Sequence, residues 1–363
     1  MRRTLIGLTV AAVVLATVSQ AQAAPDKAAA PAWTVAQSNT LAGEDGIKAI
    51  TVAPTGSTWA AGYQASGGKS VPLVQHLLSG KWTTAKSPSS VLGEVTALDA
   101  SSSKNVWAFG TTGTHAYGAR WNGTKWTTTT MTSSYYFVQD ATTLSASNVW
   151  AVGGDQTKSS LHWTGTSWKK VTLPAPARAI AGVSSTHVYA AGSYKGQPAV
   201  MHWTGSAWLL AKTPKLALPS PDAVGVLNDI YAPSASNVWA AGGFEWACGE
   251  DGDDTCSQPY LLHWNGKAWS SMTFPEHGGY GSFTRVTGDG GTGLWAIRYG
   301  WDTDLTHVVG STVTNVTPEH PSGYDIDIND LAVQGTTVWA GGIAFPEGDP
   351  DDPTGNGLYL RTG

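Results

Sequence analysis

A short apolar motif built on Trp-Ala recurs along this chain at near-regular intervals, and it restricts the fold more than any other feature. It is centred on Trp59, Trp107, Trp150, Trp239, Trp295 and Trp339, and Tyr189 holds the same place in STHVYAAG. The spacings run from 39 to 56 residues, which suits one blade of a radial β architecture once loop insertions are allowed. Each copy follows an alternating stretch ending in a Ser/Asn/Gly turn, as in DATTLSASNVW. After each comes a variable loop and then a second signature: LHWTGTSW at 161–168, MHWTGSAW at 201–208 and LHWNGKAW at 262–269. ARWNGTKW at 119–126 and HLLSGKW at 76–82 are variants of it. Glycine in these segments supplies the φ > 0 geometry of a short hairpin turn, and Trp and Thr favour the flanking strands.

The unit therefore has four strands, labelled a to d from the axis outward, and no helix to cover its faces. Such a blade buries both faces only by stacking on its neighbours. Seven copies predict an all-β chain: a seven-bladed β-propeller with four-stranded antiparallel blades. The last copy stops at LYLRTG (358–363) without a strand d, and AWTVAQS (32–38) resembles GKWTTAKS (80–87) with nothing before it. The N-terminal strand is thus expected to complete the last blade and remove the open edge. Of the 18 tryptophans, 16 fall on repeat positions, where blade-to-blade packing explains them. Trp246 and Trp301 are left over, both in b–c loops.

Ahead of the repeats, Arg2 and Arg3 precede an apolar run from Leu5 to Val18, and Ala21-Gln22-Ala23 offers a small-residue cleavage site. That is the pattern of a secretory signal peptide over 1–23, followed by a flexible leader over 24–31 and the propeller over 32–363. The expected location is extracellular, as a secreted monomer with no membrane insertion. Cleavage removes two arginines, so 19 bases face 26 acids and the net charge becomes 19 − 26 = −7. A chain with that balance and no basic block is unsuited to nucleic acid.

The VWAxG…HWxGxxW unit resembles a broad group of exported repeat proteins from actinomycetes and related bacteria, a resemblance that implies a propeller and is silent on activity. The c–d turn also resembles the Asp-box turn of sialidase-type propellers. Trp163, Trp203 and Trp264 stand where that motif has Asp, and no matching arginine triad is present.

Propeller geometry places the short a–b and c–d turns on one face and the variable b–c and d–a loops on the other, where binding residues are expected. Aligning blades on the Trp-Ala strand gives a column at the start of strand a: Lys48, Thr96, Asp140, Arg178, Asp229, Arg285, Asp330. Its alternating signs fit either a grip on a charged ligand over the channel or a set of inter-blade ion pairs. The b–c loops of blades five to seven are long and acidic. Cys248 and Cys256 are the only cysteines and are expected to form a disulfide in an exported chain. Glu250, Asp251, Asp253 and Asp254 offer oxygen ligands suited to Ca²⁺, without EF-hand spacing; no cofactor is otherwise implied.

Two d–a loops, FPEHGGYGSF (274–283) and TPEHPSGYDI (317–326), share Pro-Glu-His followed by Gly-Tyr. They bring His277, Tyr280, His320, Tyr324 and Asp325 to the variable face that carries Trp246, Trp301 and Asp302. Aromatic faces beside carboxylates and imidazoles suit sugar binding, by stacking on CH patches and hydrogen bonding to hydroxyls. The leading expectation is a non-catalytic module that recognises a glycan or cell-surface polymer through blades five to seven. Glu276 with Glu319, or Asp302 with Asp325, would instead serve a polysaccharide hydrolase or lyase. A third reading is a scaffold for another exported protein. His76, His162, His202, His263 and His307 recur at the strand-c position and are expected to be structural.

Overall fold

The computed structural model describes residues 30–90, 92–112, 115–131, 137–153, 158–249, 254–275, 281–299, 303–348 and 354–363. The signal and leader up to residue 29 therefore lie outside the described residues. So do Glu250, Asp251, Asp253, Glu276, His277, Tyr280, Trp301 and Asp302.

Pro31–Gly363 forms a seven-bladed β-propeller of seven four-stranded antiparallel sheets, with no helix among the described residues. Alternation along each strand sends small and aliphatic side chains to both blade faces, so each sheet is covered by its neighbours rather than by water. Tryptophan fills the wedge-shaped gaps that widen away from the axis. A strand-b Trp of one blade meets the c–d hairpin Trp of the next. Trp107 faces Trp163 and Trp168 at 5.5 and 5.6 Å, and Trp150 faces Trp203 and Trp208 at 4.9 and 5.5 Å. Trp295 meets Trp33 edge-on at 5.2 Å, and Trp339 meets Trp82 at 5.5 Å.

The strand-c histidines belong to this framework. His76, His162, His263 and His307 stack on the strand-b Trp of their own blade with ring centroids 3.7–4.3 Å apart. Each Nε2 then bonds to a residue at or before the start of strand b: Ser57, Asn148, Asn237 or Asp289. An imidazole fixed in this way is part of the blade, not a free acid or base.

The ring closes as the sequence implies. Strand d of the seventh blade is Trp33–Ser38, paired with Asn356–Thr362 in a register that sets Trp33 opposite Thr362. Side chains secure the seam on both sides. Gln37 makes two hydrogen bonds to the Trp82 backbone of blade one, and Glu319 accepts the Val35 N–H at 3.3 Å. Beneath them Asn39, Asp45, Gln75 and Tyr359 form one buried hydrogen-bonded set, joined by the Gly357 N–H. Burial pushes the Asp45 carboxyl above its usual range, against the opposing bonds from Asn39 and Gly357.

Candidate functional site

Three places gather polar or aromatic side chains: the channel mouth, the variable face of blades five to seven, and the outer boundary between blades four and five.

At the channel mouth, strand a carries a bulge at the same place in most blades, with register shifts at Ile47/Ala49, Val95/Ala97, Ala177/Ala179, Leu227/Asp229, Phe283/Arg285 and Ile328/Asp330. A bulge places two residues opposite one and re-aims their side chains. Counted from the residue opposite the strand-b aromatic, the expected column falls on two neighbouring positions. Asp140, Asp229, Arg285 and Asp330 share one, with alanines at 49, 97 and 179. Lys48, Thr96 and Arg178 occupy the bulge itself, where blades five to seven have Asn228, Thr284 and Asn329. The simple alternation of charge around one ring is thereby replaced by two interleaved levels.

The aspartates are committed to the neighbouring blade. Asp140 accepts the Ile180 N–H at 2.7 Å, Asp229 that of Val286 at 2.7 Å, and Asp330 that of Ile50 at 2.9 Å. Asp99, opposite Trp107, accepts the Thr143 N–H and the Thr51 hydroxyl. Arg285 pairs with Asp330 at 3.3 Å, and Arg178 donates to Asn228 at 2.7 Å. Burial pushes the Asp330 carboxyl up to about 6 despite the attraction of Arg285. Asp140 is raised further, by burial and then by Asp229, and Asp229 is raised by burial. The cavity they enclose is about 50 Å³, space for a few waters and far below the roughly 300 Å³ at which small-molecule pockets begin. This ring sets blade register.

A pH signature follows. A carboxyl raised in the folded state binds its proton more tightly there than in the unfolded chain. Its contribution to stability is full below the unfolded value of 3.8 and is lost as pH rises through about 6. Asp330→Asn keeps an oxygen for the Ile50 N–H but does not titrate. Its melting temperature relative to wild type is expected to be higher at pH 7.5 than at pH 4, a differential of up to about 3 kcal/mol. Parallel melts of both proteins check this, and a pH-independent difference would contradict it.

On the variable face, blades five and seven rise above blade six. Strand b runs for 12 residues in blade five (Asn237–Cys248) and 10 in blade seven (Thr337–Pro346), but for 5 in blade six (Leu294–Arg298). Past the shared Trp position this difference is about 20 Å and about 13 Å of strand. Blade six thus lies between two raised ribbons. The blade-five ribbon carries the Cys248–Cys256 disulfide near its end, and Asp254 is exposed beyond it. Trp246 is half-buried and leans on the apolar cluster of blades four and five, away from blade six. The Ala247 N–H donates to Asp222 at 3.1 Å, a second tie in that direction.

On blade seven, Tyr324 and Asp325 lie opposite Pro346 and Phe345, with Tyr324 half-buried and Asp325 exposed. His320 Nδ1 donates to the Tyr324 carbonyl at 2.8 Å, an internal turn bond. The structure therefore brings His320, Tyr324 and Asp325 together, and it places Trp246 elsewhere. Glu319, a candidate acid or base, is engaged with the closing strand. Among the described residues no group of three His, Cys, Asp or Glu side chains is arranged to hold a metal ion. Removing the bridge with Cys248→Ser and Cys256→Ser is expected to speed amide exchange across Phe244–Gln258. By the loop-entropy argument a bridge over so short a loop is worth about 2–3 kcal/mol, confined here to the ribbon. Unchanged exchange would show that the strands alone fix it.

The third place was not apparent from the repeat. Blade four has Tyr189 where other blades have Trp, and blade six has no Trp in its c–d hairpin. Five interfaces are filled by Trp against Trp. The two exceptions hold cavities: about 940 Å³ between blades four and five, and about 330 Å³ beside Trp239 between blades five and six. The signal lay in the departures of two blades from the motif, not in the motif.

No protein-family model and no curated protein matches the chain. Solved propeller structures do. The structure of U3-55K is similar with a TM-score of 0.61 at 12% identity, covering 92% of this chain and 100% of that chain. The WD40 repeats of RRP9 give 0.60 at 14% identity over 92% and 99%. YCF48 bound to D1 peptide gives 0.57 at 12% identity over 95% and 99%. At such identities the likeness is one of fold alone.

Proposed function

We propose that this protein is an exported, non-catalytic binding module that recognises a glycan or other cell-surface polymer through the variable face of blades five to seven. The observation that supports this most is the pair of raised ribbons flanking blade six, one of them cross-linked. Two raised ribbons on either side of a blade suit a long chain passing between them, whereas a hydrolase needs two carboxylates held at a fixed gap across a substrate. Tyr324, Asp325 and His320 stand at one wall with aromatic, acidic and imidazole groups for sugar hydroxyls. Ca²⁺ held by Glu250, Asp251, Asp253 and Asp254 belongs to the same proposal.

The test is a screen of glycans and wall polymers, with and without Ca²⁺, against wild type and a trimmed variant. In the variant, Glu245–Ser257 is replaced by Asn-Gly, because Phe244 and Gln258 already face each other across the hairpin. Polymer binding by wild type, lost in a trimmed protein of near-normal melting temperature, is the expected result. Absence of polymer binding, or equal binding by the trimmed protein, would overturn the proposal.

A further inference from the structure

The groove between blades four and five lies on the outer rim and the short-turn face, opposite the ribbons, and goes beyond the reading above. Its origin is a size mismatch. Tyr189 is smaller than the Trp used elsewhere, and its hydroxyl donates to the Ala235 carbonyl at 3.1 Å. The Trp264 indole donates to the same oxygen, also at 3.1 Å. The two rings are thereby held beside one carbonyl, and the space is not closed by collapse. His187 takes the place of the Asn or Ser found in other blades, so His202 faces a second imidazole at 5.3 Å instead of a side-chain oxygen.

The walls differ in chemistry from the rest of the surface. Leu209, 56% exposed, lines one side on the strand face it shares with His202, and Trp269 lies opposite. Lys212 and Lys267 are exposed at the rim. Among the described residues no carboxylate lines the groove, in a chain where 26 acids outnumber 21 bases. The neighbouring edge strand, Trp208–Leu210, has only 3 residues and is the outermost of its blade. An outer strand edge beside an apolar slot is a place where an extended backbone can add.

We propose that this groove binds an extended acidic peptide segment of a partner protein. An aromatic or aliphatic side chain of the peptide seats against Tyr189 and Leu209, and its carboxylates meet Lys212 and Lys267. The charge of the rim selects an acidic occupant, and the apolar walls at Leu209 and Trp269 select one with apolar side chains, which an anionic polysaccharide lacks.

A displayed library of random peptides of about twelve residues, panned on the propeller, tests this, with alginate as the acidic-polysaccharide probe. Enriched peptides should carry net negative charge and an aromatic or leucine anchor. Lys212→Glu with Lys267→Glu should weaken their binding by about tenfold or more, as should raising salt from about 0.05 to 0.5 M. Tyr189→Trp, which fills the floor, should weaken it similarly. Leu209→Ser tests the apolar wall at an exposed position should the Trp variant melt early. The trimmed blade-five variant should bind the peptides as wild type does, which separates this site from the polymer site. Enrichment without acidic bias, no enrichment, full binding by the charge-reversed protein, or alginate binding in place of peptides would each overturn the proposal.

Discussion

A chain lacking Trp33–Ser38 is expected to lose its closed ring and to unfold or associate at temperatures where the full propeller is native. The loss combines several contributions at one seam. Trp33 is 2% exposed and packs edge-on against Trp295, and removing a buried Trp side chain costs about 3–5 kcal/mol. The strand also takes away the Gln37 bonds to Trp82, the Glu319 contact to Val35 and the pairing with strand c. Together these approach the whole stability of an ordinary domain, about 5–15 kcal/mol. Strand c would then present a bare edge, a template for association with other copies. Adding a peptide spanning residues 31–40 should restore to the truncated protein the melt and the elution position of the uncut chain. A truncated chain that melts like wild type without the peptide would show that the blade interfaces hold the ring unaided.

The second large effect is expected at Arg285. Its guanidinium pairs with Asp330 and lies close enough to Asp229 and Asp140 to be held by all three, which outweighs the burial that opposes its charge. Arg285→Ala leaves those carboxylates facing one another in a narrow channel. Removing one partner of a fully buried pair costs about 3–5 kcal/mol; with side chains 31% and 21% exposed, about 3 kcal/mol is the appropriate figure. For a chain of this size that lowers the melting temperature by about 5 °C. The loss should shrink on acidification, because Asp140, Asp229 and Asp330 are all raised and take up protons more readily than ordinary carboxyls. Thermal melts over a range of pH check both statements, and a deficit that grows on acidification would contradict the arrangement.

The blade count and the closing strand were legible because they rest on composition and spacing. Tryptophan at a fixed place in strand b, and AWTVAQS standing where a strand d was missing, admit few other architectures. The charged column was legible only as a set of residues. The distance from column to aromatic is 9, 10 or 11 residues in different blades, because the turn is one residue shorter in blade seven and the column residue lies on the strand-a bulge in some blades and one place past it in others. Sequence alignment therefore merged two positions that pairing separates. Glu319 illustrates another limit: its partner Val35 is 284 residues away, and no local pattern announces it. Trp246 was rightly set apart from the repeat, yet the direction in which it leans depends on a loop of the preceding blade. The groove escaped notice because Tyr for Trp looks conservative in one line of sequence. Its consequence appears only when the facing hairpin is brought against it.

The seam also governs the order of events in time. Trp33 and Thr362 become neighbours across 328 intervening residues, so strand d of the seventh blade is made before the strand c it pairs with and waits for it. Until then the six complete blades can stack as an open arc, but the seventh has an empty outer place. Pairing at such separation carries a large loop-closure cost and is reached late. Premature termination anywhere in the final blade would therefore leave two unfinished ends, not one, since the waiting strand has nowhere to dock. A chain that carries both strands of the seam closes, and one that lacks either keeps an open strand edge.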